Sequence, residues 1–153
     1  MRTICLWIAA AGFAASAGLH ILSFTSWVAP AGERPLWTLG AVAFGLAAVL
    51  VARLRRRTVI GRRWGRVAVL DWRVLVRAVP PGLQFLVVGA ALYAWMNFVL
   101  CLMLEPGPKA QGAITLRMAS GHLLFFFLVP LVFFRWVEPG LAADRAAAAP
   151  PRP

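Results

Sequence analysis

Acidic side chains are scarce in this chain, and none lies inside its long apolar runs. The 153 residues include five aspartates and glutamates against sixteen lysines and arginines. General acid–base catalysis and the carboxylate relays of proton-coupled transporters both need acidic groups inside the protein. The scarcity argues against a secondary transporter. It also favours, without deciding the matter, a protein that is not an enzyme.

Cysteine is nearly as scarce, and the common catalytic motifs are absent. Cys5 and Cys101 are the only cysteines, and they form no CxxC pair. Two cysteines are too few for a disulfide scaffold. They are also predicted near opposite membrane surfaces, so they cannot exchange thiols within one subunit. The chain has no GxSxG, no HExxH and no phosphate-binding glycine loop, so no metal or nucleophile motif is indicated.

Apolar residues dominate what is present. They make up 61% of the chain against 14% charged residues, and the mean hydropathy is +0.78. Ordinary soluble proteins are roughly half apolar and a quarter charged. Four apolar runs are long enough to cross ~30 Å of hydrocarbon as helices: 4–24, 36–54, 83–104 and 118–136. The sequence therefore predicts an all-α integral membrane protein.

The predicted domain is a single unit of four transmembrane helices over residues 1–140, arranged as two hairpins. Short loops join the first to the second helix and the third to the fourth. An Ala- and Pro-rich tail over 141–153 has too little apolar bulk to pack, so we expect it to be disordered.

Nine of the sixteen basic residues are arginines between Arg53 and Arg77. Basic loops between spans remain in the cytoplasm, so the loop over 53–79 predicts cytoplasmic N- and C-termini in a multi-pass protein of a bacterial-type inner membrane. The net charge of +11 suits anionic headgroups better than nucleic acid, because the arginines lie between apolar spans. The predicted headgroup contacts are Arg55, Arg56, Arg57, Arg62, Arg63, Arg66, Arg73 and Arg77.

Two local features have competing interpretations. The segment 62–79 suits an interfacial amphipathic helix, although Asp71 falls on its apolar side and its β-branched residues also suit a short hairpin. Arg2, the run 4–13 and the small residues at 15–17 resemble a secretory signal with a cleavage site. We favour an uncleaved first span, because the apolar run continues to Phe24.

Both histidines, His20 and His122, lie inside predicted spans, where ionisable groups are costly and are functional candidates. Each is about four residues, or ~6 Å, from the outer end of its span, so the two imidazoles are predicted to share a layer. The polar residues expected around them are Asn97, Cys101, Ser16 and Ser120. Gly12, Ser16 and His20 form an i, i+4, i+8 stripe that we expect to face inward.

Three interpretations of the histidines are open. They can be neutral groups that hydrogen-bond Ser16, Ser120, Asn97 or a backbone carbonyl. They can be the axial ligands of one b-type haem held between the first and fourth helices. They can also form a metal or proton site with Cys101, although no carboxylate in a span completes a zinc site.

The favoured function is a small, non-enzymatic membrane subunit or interaction protein, and the alternative is a single-haem electron-transfer subunit. The expected partners are membrane lipids, other membrane subunits or a second copy of the chain, with contacts at the small residues Ala41, Gly45 and Gly89. We also expect the phenylalanines of the fourth span to pack into a groove formed by Ala10, Ala14 and Gly18.

Overall fold

The computed structural model describes residues 1–25, 33–58, 78–104, 111–140 and 142–143. These residues form four long helices, α1 (Arg2–Leu22), α2 (Glu33–Thr58), α3 (Pro81–Met103) and α4 (Gln111–Val132). Each contains a stretch long and apolar enough to cross a membrane. The prediction of an all-helical fold with four helices of spanning length and hydropathy is therefore confirmed for the described part of the chain.

The helix limits follow from proline and from hydrogen bonding. Pro80 has an extended backbone, and Pro81 occupies the first turn of α3, where its missing N–H leaves no bond unmade. The fourth helix begins at Gln111 rather than at Met118, so Arg117 lies inside it rather than at its boundary. A helix tolerates proline in its first turn far better than in its interior.

The last helix has two irregular features. Pro130 lies inside α4, and a π-helical turn follows at Phe133–Val137. Helical structure then continues to Gly140. Glu138 consequently belongs to the spanning-length segment Gln111–Gly140 and is buried, with 5% of its surface exposed. The expectation that no span contains a carboxylate is therefore wrong at this position.

The fourth helix is the centre of the bundle. It packs against α1, α2 and α3. Half of its most apolar window is buried, whereas the corresponding share is 28% or less in each of the other three helices. The outer helices therefore expose apolar faces such as those of Trp37, Phe44 and Phe85. Such exposure suits lipid rather than water.

Polar contacts identify which helix ends meet. At one end, Arg53 of α2 lies 3.3 Å from the carboxylate of Glu138 and 3.8 Å from the sulfur of Met1. At the other end, a guanidinium nitrogen of Arg117 lies 3.1 Å from the carbonyl of Ser23, just after α1. The start of α4 therefore meets the end of α1.

The buried face of α1 is its small-residue stripe. It consists of Cys5, Ala9, Gly12, Ser16 and His20, which confirms the prediction that the Gly12 stripe faces inward. The ring of Phe127, which is fully buried, packs directly over Gly12. The groove expected at Ala14 and Gly18 is wrong, because both residues are exposed. They lie on the opposite side of α1 from Gly12 and Ser16.

Several predictions fall on residues that the structure does not describe. Arg62, Arg63, Arg66, Arg73 and Arg77 lie outside the described residues, as do nearly all of the segment 62–79 and most of the tail over 141–153. Positions 55–57 belong to α2. Their headgroup contacts remain predictions.

Candidate functional site

Buried polar side chains from α1, α3 and α4 meet near the end of the bundle where α4 begins. The Nδ1 atom of His20 lies 2.9 Å from the hydroxyl oxygen of Ser120, and its Nε2 atom contacts the phenol oxygen of Tyr93. The hydroxyl of Ser120 lies 2.6 Å from the carbonyl of Leu116, one turn earlier in its own helix. One imidazole therefore joins three helices.

The hydrogen bonds at His20 have a defined direction. A carbonyl can only accept, so Ser120 donates its proton to Leu116 and its oxygen is left to accept from Nδ1–H of a neutral His20. The Nε2 lone pair then accepts from the hydroxyl of Tyr93. The chain of donors runs from Tyr93 through His20 and Ser120 to Leu116. Both ring nitrogens are thereby bonded to the protein.

Asn97 forms a second link between α3 and α4. Its Nδ2 atom donates to the carbonyl of Arg117 at 3.0 Å, and its Oδ1 atom lies 3.9 Å from the sulfur of Cys101. Asn97 and Cys101 are both buried. The close approach depends on Gly121, where a Cβ atom would lie 2.5 Å from Nδ2 of Asn97. The small residue next to Ser120 therefore admits the amide.

Arg117 connects the same layer to the end of α1. Its guanidinium donates to the carbonyl of Ser23 and lies 4.0 Å above the ring of Phe24. Carbonyls at the end of a helix carry partial negative charge, and an aromatic face attracts a cation. In the described part of the chain, this charge is paired with a carbonyl and a ring rather than with a carboxylate. The predicted span 118–136 leaves Arg117 outside the fourth helix, so the sequence did not predict this role.

His122 has different neighbours from His20. Its Nδ1 atom lies 2.9 Å from the carbonyl of Met118, and its ring meets Phe98 edge to face with 5.2 Å between centroids. Ser120 and His122 are two positions apart, which is about 200° around a helix. Because Ser120 faces His20, His122 points away from it. The predicted shared layer therefore does not bring the two imidazoles together.

The remaining predicted site residues divide between bonded and unbonded groups. Ser120, Asn97 and Cys101 belong to the polar layer around His20. The hydroxyl of Ser16 is buried without a hydrogen-bond partner among the described residues. Within the same residues, no three side chains of His, Cys, Asp or Glu come together. The structure therefore offers no ligand set there for the metal hypothesis.

Tyr93 belongs to the site but was not among the predicted site residues. It lies one turn before Asn97 and two turns before Cys101 on one face of α3, and it is 43% exposed. Its spacing could have indicated its role, because a tyrosine four residues before Asn97 lies on the same face of the helix.

Comparisons with protein-family models, with curated protein sequences and with solved structures found no match to this chain. The function is therefore argued from the geometry alone.

Replacing Gly121 by alanine tests the tight contact at Asn97. The new methyl group would overlap the amide of Asn97, and both sides of the contact are buried. We expect a loss of about 1–3 kcal/mol in the free energy of unfolding, measured by denaturant titration in detergent. Gly89→Ala is the matched control, because a Cβ atom there meets nothing within 4 Å. Equal stability of the two variants would contradict the contact.

Proposed function

We propose that the protein is a small, non-enzymatic subunit or interaction protein of a membrane. The observation that carries the proposal is that the polar layer is bonded within the bundle. His20, Ser120, Asn97 and Arg117 use their polar groups to join α1, α3 and α4. Interhelical hydrogen bonds of this kind typically contribute about 0.6 kcal/mol each and hold helices in register.

The outer faces are the proposed contact surfaces. Gly45 of α2 and Gly89 of α3 are exposed, and a Cβ atom at either position meets nothing within 4 Å. Small residues let two helix backbones approach closely inside a bilayer. The face around Ala41 and Gly45 is the proposed site for a helix of another subunit or of a second copy.

The proposed topology places the protein in a bacterial-type inner membrane as two hairpins with both termini in the cytoplasm. The arginine-rich segment after α2 supports it, because basic loops are retained on that side. The meeting of Met1, Arg53 and Glu138 at one end of the bundle supports the same arrangement. The loop arginines are then proposed to contact anionic headgroups, at roughly 1 kcal/mol each.

A single b-type haem ligated by His20 and His122 is the alternative proposal. Its support is the orientation of His122, whose Nδ1 bonds a backbone carbonyl, as the Nδ1 of metal-ligating histidines commonly does. Ligation of one haem by both histidines would require His20 to release Tyr93 and α4 to rotate, because Ser120 rather than His122 faces His20. The geometry therefore favours the non-enzymatic subunit.

Affinity purification in mild detergent from haem-replete cells tests both proposals. We expect the eluate to be colourless and the native mass to exceed that of one chain, either as a homo-oligomer or with another subunit. Gly45→Leu should reduce the native mass to that of the monomer. Gly18→Leu, the same change at an exposed glycine of α1, should leave it unchanged.

Two results would contradict the proposal. A wild-type chain that is monomeric under all mild extraction conditions would remove the interaction role. A Soret band that both His20→Ala and His122→Ala abolish would establish the haem alternative instead.

A further inference from the structure

A groove of about 610 Å³ lies between α2 and α4. Its walls are almost wholly apolar and include Trp37, Gly40, Ala43, Phe44, Ala119 and Phe126. The volume falls within the range of small-molecule sites in proteins, roughly 300–1,000 Å³. Both walls are spanning-length helices, so a ligand would enter from the lipid. His122 and Thr115 are the polar residues along α4 that line it.

Both of these polar residues line the groove, and each carries an acceptor atom for which the described residues supply no donor. The Nδ1 atom of His122 faces the carbonyl of Met118, which can only accept, so Nδ1 carries the proton of the neutral ring. Nε2 then has a lone pair and no hydrogen-bond partner within the described residues. Thr115 donates its hydroxyl proton to the carbonyl of Gln111 at 3.0 Å, so its oxygen is also left to accept.

The spacing of the two residues along α4 sets the scale of the ligand. Thr115 and His122 are seven positions apart, which is two turns of one helix face and about 10 Å along its axis. A flat ring with a hydroxyl group at each end, plus a hydrogen bond at each hydroxyl, covers a similar length. The small residues Gly40, Ala43 and Ala119 leave room for a ring, and Phe44 and Phe126 are stacked beside it.

We propose that this groove binds a lipid-soluble para-quinol, whose two hydroxyl groups donate to Nε2 of His122 and Oγ1 of Thr115. At these two positions the quinol is favoured over the quinone, because quinone carbonyls cannot donate to an acceptor. The indole N–H of Trp37, also on the groove wall, is a donor that the oxygens of either form can accept from and so does not separate them. An isoprenoid tail extends along the apolar wall toward the lipid. The inference goes beyond the proposed function, and the groove borders the proposed contact face, because Ala41 belongs to both.

Binding of a defined probe tests the preference for the reduced form. Decylubiquinol and decylubiquinone would be titrated anaerobically against the full-length protein in lipid nanodiscs, with calorimetry as the readout. We expect the quinol to bind three- to tenfold more tightly for each hydrogen bond gained. His122→Phe should bring the two affinities closer together while preserving the ring volume.

Two further variants separate the groove from general lipid partition. Ala119→Phe fills the groove and should abolish binding of both forms. Val88→Phe adds the same ring beside a second, wholly apolar groove of about 380 Å³ and should change neither affinity. Thermal unfolding of each variant in the same nanodiscs checks that it is folded.

Three outcomes would overturn the inference. They are equal affinity of the wild type for quinol and quinone, a preference for quinol that survives His122→Phe, and undiminished binding to a folded Ala119→Phe variant. Equal affinities would mean that the hydroxyl groups of the quinol are not recognised. Failure here leaves the native-mass result untouched, so the two proposals are tested separately.

Discussion

Phe127→Ala is expected to destabilise the bundle strongly. The side chain is fully buried and lies on the central helix α4, against Gly12 of α1. Large-to-small changes at buried phenylalanines in soluble proteins cost about 3–5 kcal/mol. Because lipid is as apolar as the protein interior, little hydrophobic transfer energy is lost in a membrane protein. The expected cost is mainly the loss of van der Waals packing around the ring. We therefore expect about 2–4 kcal/mol, measured by denaturant titration in detergent.

A size exchange tests whether the cost comes from this one contact. Gly12→Leu alone should also destabilise, because even a Cβ atom at that position overlaps the ring of Phe127. Gly12→Leu combined with Phe127→Ala should recover part of the loss, since the new side chain fills the space left by the ring. Gly18→Leu is the control, because its surroundings are open. Simple addition of the two losses would contradict the contact.

The sequence was sufficient for the spans and for the inward stripe of α1. Long apolar runs must form helices in lipid, and an i, i+4, i+8 series of small residues must share one face. The shared depth of His20 and His122 stays a prediction, because the fourth helix begins at Gln111 rather than at Met118 and so places His122 further from its start. The spans and the stripe of α1 follow from the length and the periodicity of the sequence pattern alone.

The sequence did not determine how each helix is rotated about its axis, and therefore in which direction each histidine points. Two residues at one depth can face each other or point in opposite directions, and a nearly uniform apolar helix such as α4 gives no stripe to decide between them. Ser120 and Gly121 provide the missing signal, because small residues mark the face that another helix approaches. His122 is offset from that face and instead lines the groove beside α2.

The ends of the last helix were a second feature that the sequence did not predict. Arg117, Arg135 and Glu138 resemble boundary residues in a hydropathy profile, because charge usually marks the end of a span. Helical hydrogen bonding continues through both ends, including a π-helical turn after Pro130. Tertiary partners make this possible, since Arg117 bonds α1 and Glu138 meets Arg53 of α2. Contacts between distant residues are not visible to a local hydropathy window.

Arg53→Leu is expected to have the second large effect. The carboxylate of Glu138 is 6% exposed and lies 3.3 Å from the guanidinium of Arg53. Removing the arginine leaves a buried negative charge without that partner, which costs about 3–5 kcal/mol for fully buried pairs. The arginine side chain is 33% exposed, so solvent screening reduces the expected loss to about 1–3 kcal/mol. Denaturant titration in detergent measures it.

A double-mutant cycle distinguishes loss of the pair from loss of the arginine side chain itself. Arg53→Leu with Glu138→Leu should be less destabilised than the sum of the two single variants, because the double variant buries no unmatched charge. Arg135→Leu is the control on α4, since that guanidinium is exposed and lies over the ring of Trp136. If the loss of stability in the double variant equals the sum of the losses in Arg53→Leu and Glu138→Leu, the ion pair does not couple α2 to the last helix. The stability of that end of the bundle would then depend on apolar packing around Phe134 and Val137, both of which are buried within the same core.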